Sequence, residues 1–124
     1  MLAASGDSLY AGTYPEGDVF RSTDGGDSWV PTDDLAGATT VRALLETRTG
    51  SILAGTAPSG ALFSTTDGGQ SWEFLATVPV GSIDCLLETR AGVLFAGGGG
   101  VPFRSTDGGP TWTALTNFPF PPDE

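Results

Sequence analysis

One octapeptide occurs three times in this chain of 124 residues, and it limits the folds that the chain can adopt. The copies are residues 22–29, 65–72 and 105–112, and they contain all three tryptophans. Each copy reads hydroxyl-Thr-Asp-Gly-Gly-x-hydroxyl-Trp, with successive aspartates 43 and 40 residues apart. A period of about 40 residues is typical of four-stranded units in a repeat fold.

The similarity between the copies extends upstream of each octapeptide. Residues 9–13 match residues 52–56 and 94–97, and residues 44–48 match residues 86–90. The whole chain is therefore one domain made of three copies of one unit, with boundaries near residues 1–40, 41–82 and 83–124.

Each copy contains four short runs that are typical of β-strands, separated by turn residues. The predicted strands are 1–4, 8–14, 18–23 and 28–32 in the first copy, 41–46, 51–57, 61–66 and 71–77 in the second, and 84–89, 93–97, 101–106 and 111–117 in the third. No stretch of ten or more residues has helical periodicity. With 19 glycines and 9 prolines, the chain is predicted to be all-β.

Composition excludes several functions. The five basic residues are all arginines against 15 acidic residues, for a net charge of −10, which argues against a nucleic-acid partner. The absence of histidine excludes Ser/His/Asp and Cys/His catalysis and imidazole metal ligands. No apolar run approaches the ~20 residues that cross a bilayer, so no membrane partner is expected. No cofactor is indicated, and the sequence does not indicate a compartment.

The octapeptide resembles the Asp-box, or BNR, repeat of β-propellers in the sialidase-like and photosystem-assembly-factor-like families. The first and third copies match its pattern fully, and the second has Thr65 where serine is usual. The resemblance implies three four-stranded antiparallel propeller blades, with each box joining the two outer strands. The box residues expected to have structural roles are Ser22, Asp24, Gly26, Trp29, Thr65, Asp67, Gly69, Trp72, Ser105, Asp107, Gly109 and Trp112.

The chemistry of a tight turn explains these roles. The aspartate is expected to be buried and to accept backbone N–H groups, the second glycine of each pair to supply a positive φ, and the tryptophan ring to lie under the turn. Calcium binding at Asp24 and Asp27 is not expected, because Gln70 and Pro110 replace the second carboxylate in the other copies.

Three blades are too few for a closed ring, since propellers close with about 4 to 8 blades. We expect two chains to join as a homodimer with six blades, which covers both end faces. The alternative is that the missing blades belong to a longer chain.

Candidate ligand-binding residues lie in the loops on the face opposite the boxes. They are Tyr14, Glu16, Asp18, Asp33 and Asp34, and their charge favours a cationic group, a calcium ion or sugar hydroxyls. A solvated acidic rim is the alternative reading. On the inner strands, Arg42 and Asp84 occupy equivalent positions in adjacent copies and are expected to form an ion pair. Cys85 aligns with Ala43 and is predicted to be a buried thiol.

Two functions remain open. The first is a non-catalytic binding or scaffold module whose ligand is a carbohydrate or a protein, as short loops and the lack of a catalytic constellation favour. The alternative is a glycoside hydrolase, or a fragment of one. A sialidase-like site needs an arginine cluster that this chain lacks, whereas a two-carboxylate site could use Glu16, Asp18, Asp33 and Asp34.

Overall fold

The computed structural model describes residues 2–5, 8–13, 17–32, 35, 40–98 and 102–115. These residues form three antiparallel sheets of four strands, and in each sheet the strands lie in chain order. Sheet 1 contains β1 (Leu2–Ser5), β2 (Ser8–Gly12), β3 (Val19–Ser22) and β4 (Val30–Pro31). Sheet 2 contains β5 (Thr40–Glu46), β6 (Ile52–Ala57), β7 (Ala61–Thr65) and β8 (Glu73–Thr77). Sheet 3 contains β9 (Cys85–Glu88), β10 (Leu94–Gly97), β11 (Phe103–Ser105) and β12 (Thr113–Ala114).

The all-β prediction is confirmed, and the strand order matches the four runs predicted in each copy. The predicted fourth strands begin too early, because Ser28, Ser71 and Thr111 bond to the aspartate of their own octapeptide and belong to the turn. The last strand therefore starts at Val30, Glu73 or Thr113. The predicted residues Met1, Tyr14, Val101 and 116–117 lie outside the described residues.

Sheet 2 lies between the other two sheets and has an apolar surface on both sides. Successive side chains of a strand point to opposite faces, and five of the six residues of β6 are buried. Ile52 and Ala54 join one core cluster with Tyr10 and Val19 of sheet 1. Leu53, on the opposite face, joins a second cluster; its partners from the connection 78–84 and sheet 3 are Val78, Ile83, Leu94 and Ala96.

A glycine near the end of the second strand of sheets 1 and 2 lets the next sheet approach closely. A Cβ atom on Gly55 would overlap the side chain of Ile83, and one on Gly12 would lie 2.5 Å from Val41 Cγ1. The neighbouring backbone is bonded in the same way in both places, since the Ile83 N–H donates to the Thr56 carbonyl and the Val41 N–H to the Thr13 carbonyl, each at 3.1 Å. The repeat thus fixes how one sheet stacks on the next.

Two predictions for the innermost strands have different outcomes. The ion pair is confirmed, with Arg42 Nε 2.7 Å from Asp84 Oδ1 and both side chains about half exposed. The buried thiol is wrong, because Cys85 is exposed. Its counterpart Ala43 is 1% exposed and lies in the core shared with sheet 3, whereas Cys85 lies on the face of sheet 3 that points away from sheet 2.

Candidate functional site

The octapeptides form turns between the third and fourth strands of each sheet. In the first, the Ser22 hydroxyl donates to Asp24 Oδ1 at 2.8 Å and accepts the Gly26 N–H at 2.9 Å. Asp24 also accepts the N–H of Ser28 at 2.9 Å and the Ser28 hydroxyl. One hydroxyl and one carboxylate therefore satisfy most of the turn's inward-pointing donors.

The other two turns repeat this pattern. The Thr65 hydroxyl accepts the Gly69 N–H at 3.0 Å, and the Ser105 hydroxyl accepts the Gly109 N–H at 3.0 Å. The second glycine of each pair has a positive φ, 96° at Gly26, 90° at Gly69 and 119° at Gly109, as predicted. The first glycine of each pair also has a positive φ, which the sequence interpretation did not include.

The turn aspartates are exposed, so the prediction that they are buried is wrong. Hydrogen bonds, and not burial, determine their chemistry. The hydroxyl of Ser28, Ser71 or Thr111 is the main cause that lowers the pKa of Asp24, Asp67 and Asp107 to about 2, with the other donors of the turn adding to it. These carboxylates are ionised hydrogen-bond acceptors at neutral pH.

The three tryptophans bond differently although their sequence contexts match. The Nε1–H of Trp29 donates to the Gly26 carbonyl at 3.0 Å, and that of Trp112 to the Gly109 carbonyl at 2.7 Å. The Nε1–H of Trp72 instead crosses to sheet 1 and donates to Thr32 Oγ1 at 3.0 Å. Trp72 and Trp112 pack against the two core clusters, whereas Trp29 is 37% exposed.

The loop face proposed from the sequence is described at only one of its five residues. Asp18 lies in the connection from β2 to β3, where its N–H donates to Thr13 Oγ1 and its carbonyl accepts the Thr13 hydroxyl, each at 3.0 Å. Tyr14, Glu16, Asp33 and Asp34 lie outside the described residues.

A cleft of about 530 Å³ opens between sheets 2 and 3, beside the third octapeptide turn. We call it the turn-side cleft. Its apolar lining includes Leu75, which is partly exposed, and Leu53 and Leu94, which are each 1% exposed. Its polar residues include Arg48, Thr49, Ser51, Ser64, Glu88 and Asp107.

The polar rim of the turn-side cleft comes from two equivalent hairpins. In the hairpin 47–51 the Gly50 N–H donates to the Thr47 carbonyl, and in the hairpin 89–93 the Gly92 N–H donates to the Thr89 carbonyl. Glu88 Oε1 accepts the Arg48 N–H at 2.7 Å and joins the two hairpins. The cleft thus brings together Arg48, several hydroxyl residues and ionised Asp107.

Sequence reasoning missed this cleft because it assigned ligand binding to the opposite face. The available signal was the hydroxyl-rich hairpin 47–51 together with the octapeptide of the next repeat, residues 105–112. A second cleft, of about 390 Å³, lies between sheets 1 and 2 and is lined by Arg21, Thr32 and Gly69 among others. Clefts beside the turns therefore recur with the sheets.

The described part of the chain also bears on metal sites and membrane spans. There, no group of three or more acidic or cysteine side chains is placed to hold a metal ion. The same residues include no helix that could cross a membrane.

Comparison with known proteins supports the architecture. A scan against protein-family models gives no match, and a search of the curated proteins gives none. Among solved structures, the chain is similar to the GH74 enzyme of Niastella koreensis, with a TM-score of 0.65 and 19% identity. The match covers 87% of this chain and 16% of that enzyme, which is a β-propeller glycoside hydrolase. The similarity shows a β-propeller-like fold.

Proposed function

We propose that the chain is a non-catalytic binding or scaffold module of the Asp-box propeller type. Three octapeptides at equivalent positions, each with the same hydroxyl, carboxylate and glycine bonding, support this assignment. In this proposal the turns hold the outer strands of each blade together. The clefts beside them, between adjacent sheets, supply the binding surface.

The observation that carries the binding proposal is the protonation state of Asp107, which does not suit this residue to act as a general acid. Glycoside hydrolysis needs a carboxylic acid that keeps its proton near neutral pH, so its pKa must be raised. The pKa of Asp107, in the turn-side cleft, is lowered to about 2 by its hydrogen bonds to Thr111 and Ser105. Asp107 is therefore an acceptor for a ligand's hydroxyl groups and not a proton donor.

We propose a carbohydrate as the ligand of the turn-side cleft. Sugars present hydroxyl groups around an apolar ring face, and the cleft offers the matching set. Arg48 donates, Asp107 accepts, Ser51 and Ser64 do either, and the partly exposed Leu75 contacts apolar C–H groups. The acidic loop face with Tyr14, Glu16, Asp18, Asp33 and Asp34 is the second surface proposed for a glycan or protein ligand.

The second candidate function is that of a glycoside hydrolase, or part of one. The observation that favours it is the structural similarity to the GH74 enzyme. The chain spans 16% of that protein's length.

A glycan array followed by calorimetric titration tests the proposal. Arg48→Ala is expected to weaken binding of any captured glycan at least about tenfold, the effect of losing a charge-assisted hydrogen bond. Arg90→Ala is the matched control, because Arg90 occupies the equivalent hairpin of sheet 3 and does not line the cleft.

Two results would contradict the proposal. Turnover of chromogenic aryl glycosides by the purified chain would favour the hydrolase. Equal binding by wild type and Arg48→Ala would show that the ligand does not bind in the turn-side cleft. Loss of binding in Asp18→Asn would then indicate that it binds on the loop face.

A further inference from the structure

The outer face of sheet 1 exposes residues whose counterparts in sheet 2 are covered. Strand register places Leu9 opposite Ser22 and Phe20 opposite Ala11, and Trp29 follows the turn. Leu9 and Phe20 are partly exposed and Trp29 is 37% exposed. The equivalent residues of sheet 2 are Ile52, Phe63 and Trp72, the first two of which are 2% and 4% exposed beneath sheet 1. We call Leu9, Phe20, Gly26 and Trp29 the leading flank.

The outer face of sheet 3 also exposes residues whose counterparts in sheet 2 are covered. Leu87 pairs with Phe95, as Leu45 pairs with Leu53 in sheet 2. Leu53 is 1% exposed and Leu45 packs on the core shared with sheet 3, whereas Leu87 is 59% exposed. We call Leu87, Phe95, Arg104 and Leu115 the trailing flank.

The contacts between sheets within the chain show how these flanks would fit. The second glycine of each later turn lies against the last strand of the preceding sheet, since a Cβ on Gly69 would lie 2.5 Å from Thr32 Cγ2 and one on Gly109 would lie 2.9 Å from Leu75 Cδ1. By register, Leu115 is the residue of sheet 3 that corresponds to Leu75. The glycine that would meet it is Gly26 of a first turn.

The first glycine of the second turn makes a further contact with sheet 1, which does not recur at Gly108, where Ser64 replaces the arginine. The Arg21 guanidinium lies next to Gly68, whose Cβ would be 3.2 Å from Arg21 Nη1. Arg104 is the equivalent of Arg21 on the trailing flank, and Gly25 is the equivalent of Gly68 on the leading flank. Nothing lies within 4 Å of the position of a Cβ on Gly25. Arg104 on one flank and Gly25 on the other are the residues that would repeat the contact between Arg21 and Gly68.

We propose that a second copy of this chain covers both flanks, with the leading flank of each copy on the trailing flank of the other. The interface continues the contact between a second turn glycine and the preceding sheet, which is present twice within the chain at the same repeat positions. Closure determines the number of copies, because rings of about 4 to 8 blades close and copies of three sheets reach that range only at six. The inference rests on the propeller packing proposed above and not on the ligand, so the glycan experiment and the test below fail independently.

Light scattering after size-exclusion chromatography tests the inference on the 124-residue chain. The expected mass is twice 12.6 kDa. Leu87→Glu is expected to raise the dissociation constant at least about thirtyfold, the loss typical of a central apolar contact, and to shift the mass to 12.6 kDa on dilution. Leu87 is 59% exposed in the single chain, so the substitution leaves internal packing intact.

The control is Val30→Glu, which is matched in exposure. Val30 is 60% exposed, and its equivalent in sheet 2 is already Glu73. This variant is expected to keep the mass of two copies. Trp29→Glu, on the leading flank, is expected to dissociate as Leu87→Glu does.

Four results would overturn the inference. A folded wild-type chain of 12.6 kDa would show that a second copy does not cover the flanks. A mass that grows with concentration beyond two copies would exclude a closed ring. Dissociation by only one of the two flank variants would indicate contact between like flanks. Dissociation by Val30→Glu as well would mean that added charge, and not the flank, is responsible.

Discussion

The substitution Thr65→Val isolates the hydroxyl group on which one octapeptide turn depends. Thr65 is 2% exposed, and its equivalents Ser22 and Ser105 are each 1% exposed. The Thr65 hydroxyl donates to Asp67 Oδ1 at 2.7 Å and accepts the buried Gly69 N–H at 3.0 Å. Valine keeps the branched shape of threonine and removes both bonds.

The expected cost follows from the donor left behind. Gly69 is buried and its φ of 90° holds its N–H toward residue 65, so water cannot replace the lost acceptor without opening the turn. A buried donor without a partner costs about 1–3 kcal/mol. Asp67 keeps the bonds from the Ser71 N–H and hydroxyl, so the cost at its carboxylate is smaller than the cost at the Gly69 N–H. We therefore expect the free energy of unfolding to fall by about 1–3 kcal/mol.

Urea denaturation measures this change directly. The midpoint is expected to fall with an unchanged m-value, since the surface exposed on unfolding is the same. Thr66→Val is the control, because the adjacent side chain is exposed and its substitution should change stability by less than about 0.5 kcal/mol. If Thr65→Val matches this control, the hydroxyl does not hold the turn and the reasoning fails.

Three further predictions concern stacking, pH and charge. Gly55→Ala should destabilise the protein by about 1–3 kcal/mol through overlap with Ile83, and by less in an Ile83→Ala background, as a double-mutant cycle in urea would show. Because the pKa of Asp67 is about 2 in the fold and 3.8 in its ordinary state, the unfolded chain binds more protons between these values, so stability falls as the pH drops from about 4 to about 2. Asp67→Asn should make that fall shallower, and an unchanged pH profile would contradict the assignment. Arg42→Met should change stability by less than about 1 kcal/mol, since its partner Asp84 is about half exposed, and added salt should reduce the difference.

The repeat allowed much of the fold to be predicted from the sequence. The octapeptides locate three turns, and the apolar runs between them locate the strands, because both depend on local chemistry. The ion pair between Arg42 and Asp84 was also predictable, because equivalent positions in adjacent copies lie side by side. The strand ends near the turns could not be predicted, because a serine such as Ser28 is equally suited to start a strand and to donate to Asp24.

Exposure was harder to predict because it depends on neighbours and not on the repeat. Trp29 and Trp72 have nearly the same sequence context, yet among the described residues Trp72 reaches Thr32 of the preceding sheet and Trp29 bonds within its own turn. Cys85 aligns with buried Ala43 but lies on an outer face. The turn-side cleft was missed for the same reason, since it exists only where the hairpin of one sheet meets the turn of the next.

An experimental crystal structure of the purified chain tests the central claim most directly. We predict a ring of six blades with two-fold symmetry, in which Leu115 of one copy packs on Gly26 of the second. Both flanks exposed to solvent in the crystal, or a ring closed by any other pair of faces, would contradict the repeated contacts between sheets from which the assembly is inferred.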